Sequence, residues 1–148
     1  PDRHEIVEAV TPLVAEEWTH FRMVLAKLKE RGLTLGERRK DEYVHELNKI
    51  VVKGGSSEKQ IMERLLIAGL IEARSCERFR LLSLHVDDDD LKAFYHELMI
   101  SEAGHYRLFL DLAAVYNPKE VVKARFDEML EQEAQIMKGL ELRADRVH

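Results

Sequence analysis

The stretch FYHELMISEAGHYRLFLDL (94–112) decides the fold. Phe94, Leu98, Glu102, His105, Phe109 and Leu112 recur at three- and four-residue steps, the spacing of one face of an α-helix. Two of these six positions carry ionisable groups on a face that is otherwise apolar. Positions three apart on a helix are neighbours, so Glu102 and His105 aim a carboxylate and an imidazole at one point. A second stretch repeats the arrangement: Val10, Leu13, Val14, Glu17, Phe21 and Val24 make a stripe, with His20 on its edge. Charged groups on a core face are costly unless paired or bound to metal, and metal is the natural explanation for both pairs.

Spacing by itself is a weak signal, because in a chain this rich in Glu about one Glu-x-x-His arises by chance. A third pair, Glu42–His45, serves as an internal control. There Val44, Leu47 and Val51 form the apolar stripe, and Glu42, His45 and Lys49 fall on the other side as solvated surface. Between the two inward pairs lies IEARSCERF (71–79), where Leu65, Ala68, Glu72, Cys76 and Phe79 share a stripe and Glu63 and Glu77 lie off it. Glu72 is therefore the expected ligand on this helix, with an ion pair to Arg74 or Arg78 as the alternative.

Glu-x-x-His from each of two helices and one Glu from each of two others is the ligand set of a ferritin-like di-iron bundle. Carboxylate oxygens suit two hard iron ions, and each imidazole caps one of them. Glu17, His20, Glu72, Glu102 and His105 supply five ligands. Glu133, on the stripe Phe126, Met129, Glu133, Met137 and Leu140, is the candidate sixth. The alternative makes Glu133 a polar break in a covering helix and leaves the site short of one ligand helix.

Composition agrees with an all-α protein. The chain has the size of one domain, 45% apolar residues, only 3 Pro and 7 Gly, and abundant Glu, Leu, Lys, Arg and Ala. A net charge of −5 argues against indiscriminate nucleic-acid binding but leaves room for a local basic patch. The single cysteine, Cys76, excludes an internal disulfide framework and suits a reducing compartment. With no signal peptide and no apolar run long enough to span a bilayer, a cytoplasmic protein is expected.

Along the chain, a first helix is predicted from about residue 4 to Arg31, stopped by Gly32 and interrupted or begun at Pro12. A short amphipathic helix over about 37–52 ends at Gly54-Gly55-Ser56-Ser57. Ser57 with Gln60 resembles a capping box opening a helix to about His85. The acidic run Asp87–Asp90 reads as a solvated helix start rather than a calcium loop. That helix reaches about Tyr116, and Asn117-Pro118-Lys119-Glu120 opens a last helix to about Ala144. The expectation is a ferritin-like helical bundle of four long helices and one short connecting helix.

On AEEWTHF (15–21), IEARSCERF (71–79) and SEAGHYRLF (101–109), in this order and spacing, the sequence resembles the MiaE-type tRNA hydroxylases. The EARSCERF stretch is far more specific than any Glu-x-x-His, and the resemblance covers most of the chain. It implies a ferritin-like fold and a non-haem di-iron centre, with Glu17, His20, Glu72, Glu102 and His105 at the family's ligand positions. The family also has an earlier helix with a DHAxCExKAA-like motif, which supplies the remaining Glu and has no counterpart here. Residues 1–148 are therefore expected to form one ferritin-like domain lacking the family's first ligand helix.

The reaction the resemblance implies is O2-dependent hydroxylation of the isopentenyl group of 2-methylthio-N6-isopentenyl-adenosine beside the anticodon of tRNA. Both irons must be reduced, and no nicotinamide or flavin motif occurs in the chain, so a reductase or ferredoxin is implied as electron donor. Phe21, Phe79, Tyr106 and Phe109 neighbour the ligands in sequence and could line an apolar substrate pocket, with core packing as the plainer reading. Arg31, Arg38, Arg39, Lys40, Lys49 and Lys53 form a basic cluster suited to tRNA phosphates. Interspersed Glu37, Asp41, Glu42 and Glu46 allow a solvated charged face instead. Cys76 reads as a small core residue. Two other functional classes share parts of this pattern: a ferritin-like iron-binding or peroxide-scavenging protein with the same ligands, and a metal-free helical interaction module whose charges are salt bridges.

Overall fold

The computed structural model describes residues 3–140 apart from residue 39. Among them are five helices and no strand: α1 (His4–Glu30), α2 (Glu42–Leu47), α3 (Ser57–His85), α4 (Asp89–Tyr116) and α5 (Lys119–Gly139). The chain divides into two compact units, residues 1–40 and residues 41–148. The expected four long helices and one short one are present, with the short helix confined to six residues.

The first unit is essentially α1 and the segment after it. Pro12 lies inside α1, so it does not mark its start; it removes the amide that would bond to the Glu8 carbonyl. At the other end Gly32 adopts φ 67°, and the Leu33 and Gly32 amides donate to the carbonyls of Leu28 and Lys29. This left-handed turn closes the last carbonyls of the helix at the position where a side chain would be strained. The apolar stripe expected on α1 is only partly covered, since Val14 is 65% and Phe21 41% exposed. Trp18 stacks on Phe21 with ring centroids 5.7 Å apart.

The second unit is built on α3 and α4, joined by three residues, 86–88. So short a connection between long helices forces an antiparallel hairpin. Contacts between the two helices run in opposite directions: Asn117 donates to the Glu58 carbonyl, Cys76 lies against the Met99 carbonyl, and Phe79 stacks on Tyr95. Asp88 caps α4 by accepting from the Leu91 amide, the helix-start role read for the acidic run. The cap of α3 is Ser56 rather than Ser57, its Oγ accepting from the Lys59 amide. Gly54 and Gly55, at φ 87° and 88°, form the left-handed turn that leads into this cap. Asn117 does not cap α5; its amide is drawn to Glu58 and Ala113, and Pro118 stands at the helix start without a side-chain cap.

α5 runs back beside this hairpin. Tyr106 of α4 lies against Phe126, 6.0 Å between centroids. Leu47, Leu66 and Met129, from α2, α3 and α5, have no exposed surface, and burying such side chains contributes about 1.5–3 kcal/mol each. Between these apolar residues lie two ion pairs that tie α5 to α3. Glu63, with no exposed surface, accepts from Arg125 Nε at 2.6 Å and Nη2 at 2.9 Å, and from the Val52 amide at 2.9 Å. Arg125 Nη2 also donates to the Ile50 carbonyl. Glu133 accepts from Arg74 Nε and Nη2 and from the Tyr43 hydroxyl. Burial and the Glu133 charge push the Tyr43 phenol well above its ordinary pKa, so Tyr43 stays a donor.

Glu63 thus corrects the one-stripe reading of α3. From Ile61 to Leu70 this helix buries residues on more than one face, because it meets α4, α5 and the 48–53 segment. A carboxylate off the principal stripe is therefore still interior.

Burial alone would raise the Glu63 carboxyl, but the bonds from Arg125 and Val52 outweigh it and hold it below the usual carboxylate range. A folded-state pKa depressed in this way contributes stability above the unfolded value of about 4.3, lost as pH falls through the folded value. Glu63→Gln should accordingly flatten the acid limb of the melting temperature against pH. Arg125→Met, which strands a buried carboxylate, should cost about 3–5 kcal/mol in denaturant unfolding at pH 7.

Candidate metal centre

α3 and α4 bring Glu72, Glu102 and His105 together. One ligand atom from each lies within 4.8 Å of the others. His105 Nδ1 is 3.6 Å from Glu102 Oε2 and 3.9 Å from Glu72 Oε2. Glu102 and His105 are 7% and 4% exposed, and Glu72 is half-buried. The helical period explains the convergence: Glu102 and His105 share the inner stripe of α4, and the antiparallel register sets Glu72 of α3 opposite them.

The chemistry of this donor set fits a cation. Two carboxylates and an imidazole nitrogen inside a protein repel one another unless a proton or metal ion lies among them. Hard oxygens with an imidazole suit iron in a carboxylate-rich site. On the far side of the ring, Ser101 Oγ lies 3.4 Å from His105 Nε2. A hydrogen on Nε2 pointing at Ser101 leaves the Nδ1 lone pair toward the carboxylates, the orientation in which an outer partner supports a ligating histidine. Sequence reading passed over Ser101. Its signal was position, one helical turn before His105 on the same face.

On α1, Glu17 and His20 form their own pair, His20 Nδ1 lying 3.5 Å from Glu17 Oε1. Glu42 and His45 are exposed, as their polar face implied. The structure does not place Glu133 in the Glu72–Glu102–His105 group; Arg74 and Tyr43 hold its carboxylate. Arg74 thus donates to Glu133 and Glu77, and Glu72 lies near His105. Cys76, half-buried at the Met99 carbonyl, has its thiol pushed up by burial and by the Glu102 charge, which keeps it protonated.

Phe109 is buried in the α3–α4 interface, Tyr106 packs on Phe126, Phe79 on Tyr95, and Phe21 on Trp18. Among the basic candidates, Arg38 and Lys40 are exposed after α1, Lys49 pairs with Glu46 at 2.5 Å, and Arg39 lies outside the described residues. Lys53 lines a cleft against α3, together with Asn48, Val51, Arg64, Ile67, Ala68 and Ile71. Arg31 approaches Glu30 at 3.8 Å.

A model of the family described as tRNA-(MS[2]IO[6]A)-hydroxylase (MiaE) matches residues 1–148. The chain belongs to the MiaE family. Among curated relatives, it is 33% identical over 134 residues to a protein of Pseudomonas putida named tRNA 2-(methylsulfanyl)-N(6)-isopentenyladenosine(37) hydroxylase, covering 86% of this chain and 64% of that one. It is 30% identical over 121 residues to a protein of Salmonella typhimurium with the same name, covering 82% and 44%. The chain thus spans between about two fifths and two thirds of the length of the curated MiaE relatives it matches. A solved structure, Protein 43 with aldehyde deformylating oxygenase activity from Synechococcus, superposes with a TM-score of 0.83 at 36% identity, covering 95% of this chain and 67% of that one. The fold is all-α and ferritin-like.

If the buried face of α4 and Glu72 hold metal, Glu72→Ala should lose most of the iron retained after anaerobic Fe(II) loading and desalting. Glu42→Ala should retain as much as the unaltered chain. Elemental analysis reads both, and equal losses would refute the distinction between inward and outward pairs.

Proposed function

We propose that this chain is the catalytic ferritin-like part of an O2-dependent di-iron hydroxylase acting on the isopentenyl group of 2-methylthio-N6-isopentenyl-adenosine next to the anticodon of tRNA. The observation that carries the reading is the convergence of Glu72, Glu102 and His105 in a chain of the MiaE family. Glu17 and His20 of α1 complete the proposed ligand set on the strength of the AEEWTHF motif. Two reduced iron ions, when bound, would supply the electrons and Lewis acidity that let O2 oxidise an unactivated C–H bond. The protein's part is positional. Glu72 and Glu102 provide hard anionic oxygens, Ser101 orients the imidazole of His105, and burial of the inner face of α4 keeps bulk water from the reacting atoms.

The carboxylate of Glu133 is already neutralised by Arg74, which favours a ligand from outside α5 for the sixth position. tRNA is the proposed macromolecular substrate, and a reductase or ferredoxin the proposed electron donor. No helix among the described residues is long and apolar enough to cross a membrane.

A second reading follows from the solved neighbour: an oxygenase acting on an aldehyde. One experiment separates the two. The iron-loaded chain, given chemical reductant and isotopically labelled O2, is incubated with tRNA carrying the isopentenyl nucleoside or with a long-chain aldehyde. The expected result is a tRNA nucleoside heavier by one labelled oxygen, detected by mass spectrometry after digestion and abolished by chelator. Aldehyde loss with unaltered tRNA would support the second reading, and iron uptake with neither product would favour an iron-binding or peroxide-scavenging role.

A further inference from the structure

The cleft between the 48–53 segment and α3 has a volume of about 550 Å³, within the range of roughly 300–1,000 Å³ typical of small-ligand sites. Its apolar lining is Val51, Ile67, Ala68 and Ile71, joined by Asn48. Lys53 and Arg64, both exposed, complete the lining, and neither makes an ion pair or hydrogen bond among the described residues. Five other cations of this unit are ion-paired: Lys49 with Glu46, Arg74 with Glu133, Lys92 with Asp89, Lys123 with Asp127 and Arg125 with Glu63.

The wall is fastened from behind. The Glu63 carboxylate holds the Val52 amide and Arg125 holds the Ile50 carbonyl, so the backbone on either side of Val51 is bound to a buried ion pair. The cleft is thus a built feature of the second unit. On α3, Ala68 of this lining precedes Glu72 by one helical turn. An apolar floor with two uncommitted cations complements a ligand that has a flat apolar body and an anionic group.

We propose that this cleft is a nucleotide subsite that seats one nucleotide flanking the modified adenosine of tRNA, its base against Val51, Ile67, Ala68 and Ile71 and its phosphate between Lys53 and Arg64. The assignment rests on the tRNA reading above and adds Arg64 and the apolar floor to it.

The test is binding of a fluorescently labelled anticodon stem-loop RNA, followed by anisotropy over a salt series, for the unaltered chain and for Lys53→Gln, Arg64→Gln and Lys123→Gln. Each lost phosphate contact should weaken binding by about three- to tenfold at low salt and lower the slope of log K against log salt by about 0.7. Lys123→Gln, with the same charge change on α5, should leave the slope unchanged. Both cleft side chains are exposed, so melting curves of the variants should overlay that of the unaltered chain. Photo-crosslinking with 4-thiouridine RNA should mark peptides within 48–53 or 64–71. Salt-dependent binding that is insensitive to Lys53→Gln and Arg64→Gln, or equally sensitive to Lys123→Gln, would overturn the subsite and leave the tRNA reading standing. Absence of RNA binding by the unaltered chain would overturn both.

Discussion

The rest of the second unit depends on how buried carboxylates are neutralised. Glu63, Glu102 and Glu133 are all interior, and an uncompensated interior charge costs several kcal/mol. Glu63 and Glu133 are answered by arginines that reach across between α3 and α5. Glu102 instead meets an imidazole and the carboxylate of Glu72. The first arrangement stabilises a helix interface. The second concentrates electron-rich atoms that a cation would relieve, and it marks the site chemically before any family is considered.

The structural pairs also frame the candidate site. α5 is tied to α3 at Glu63–Arg125 near one end and at Arg74–Glu133 two residues beyond Glu72. With Tyr43 also bonded to Glu133, α2 is drawn into the same network. The candidate ligand Glu72 therefore projects from a helix restrained on more than one side, which preorganises its position. The same Glu63–Arg125 pair anchors the 48–53 segment through its backbone, so one buried interaction serves both the core and the wall of the cleft.

Much of this was legible in the residues. The stripe over Phe94–Leu112 identified an inward Glu102 and His105, and Glu72 was separated from Glu63 and Glu77 by its place on the α3 stripe. The outward character of Glu42 and His45 followed from the same periodicity. The stripe argument failed for Glu63 because it assumes one buried face, whereas α3 is covered on several. It also failed for the caps: Asn117 had a tertiary partner to bond, and the cap of α3 fell on Ser56, after two left-handed glycines, rather than on Ser57. Helix α2 is shorter than its amphipathic pattern, since the residues after Leu47 turn away to bring their backbone to Glu63 and Arg125.

By itself the sequence determined the helical class, the faces that carry the candidate ligands and the family motifs, because these rest on i, i+3 and i+4 geometry internal to each helix. Only the tertiary structure decided which carboxylates meet an arginine and which meet a histidine. It also decided which cations are left uncommitted beside an apolar floor. Those outcomes depend on the register between helices far apart in the chain, about which a periodic pattern within one helix carries no information.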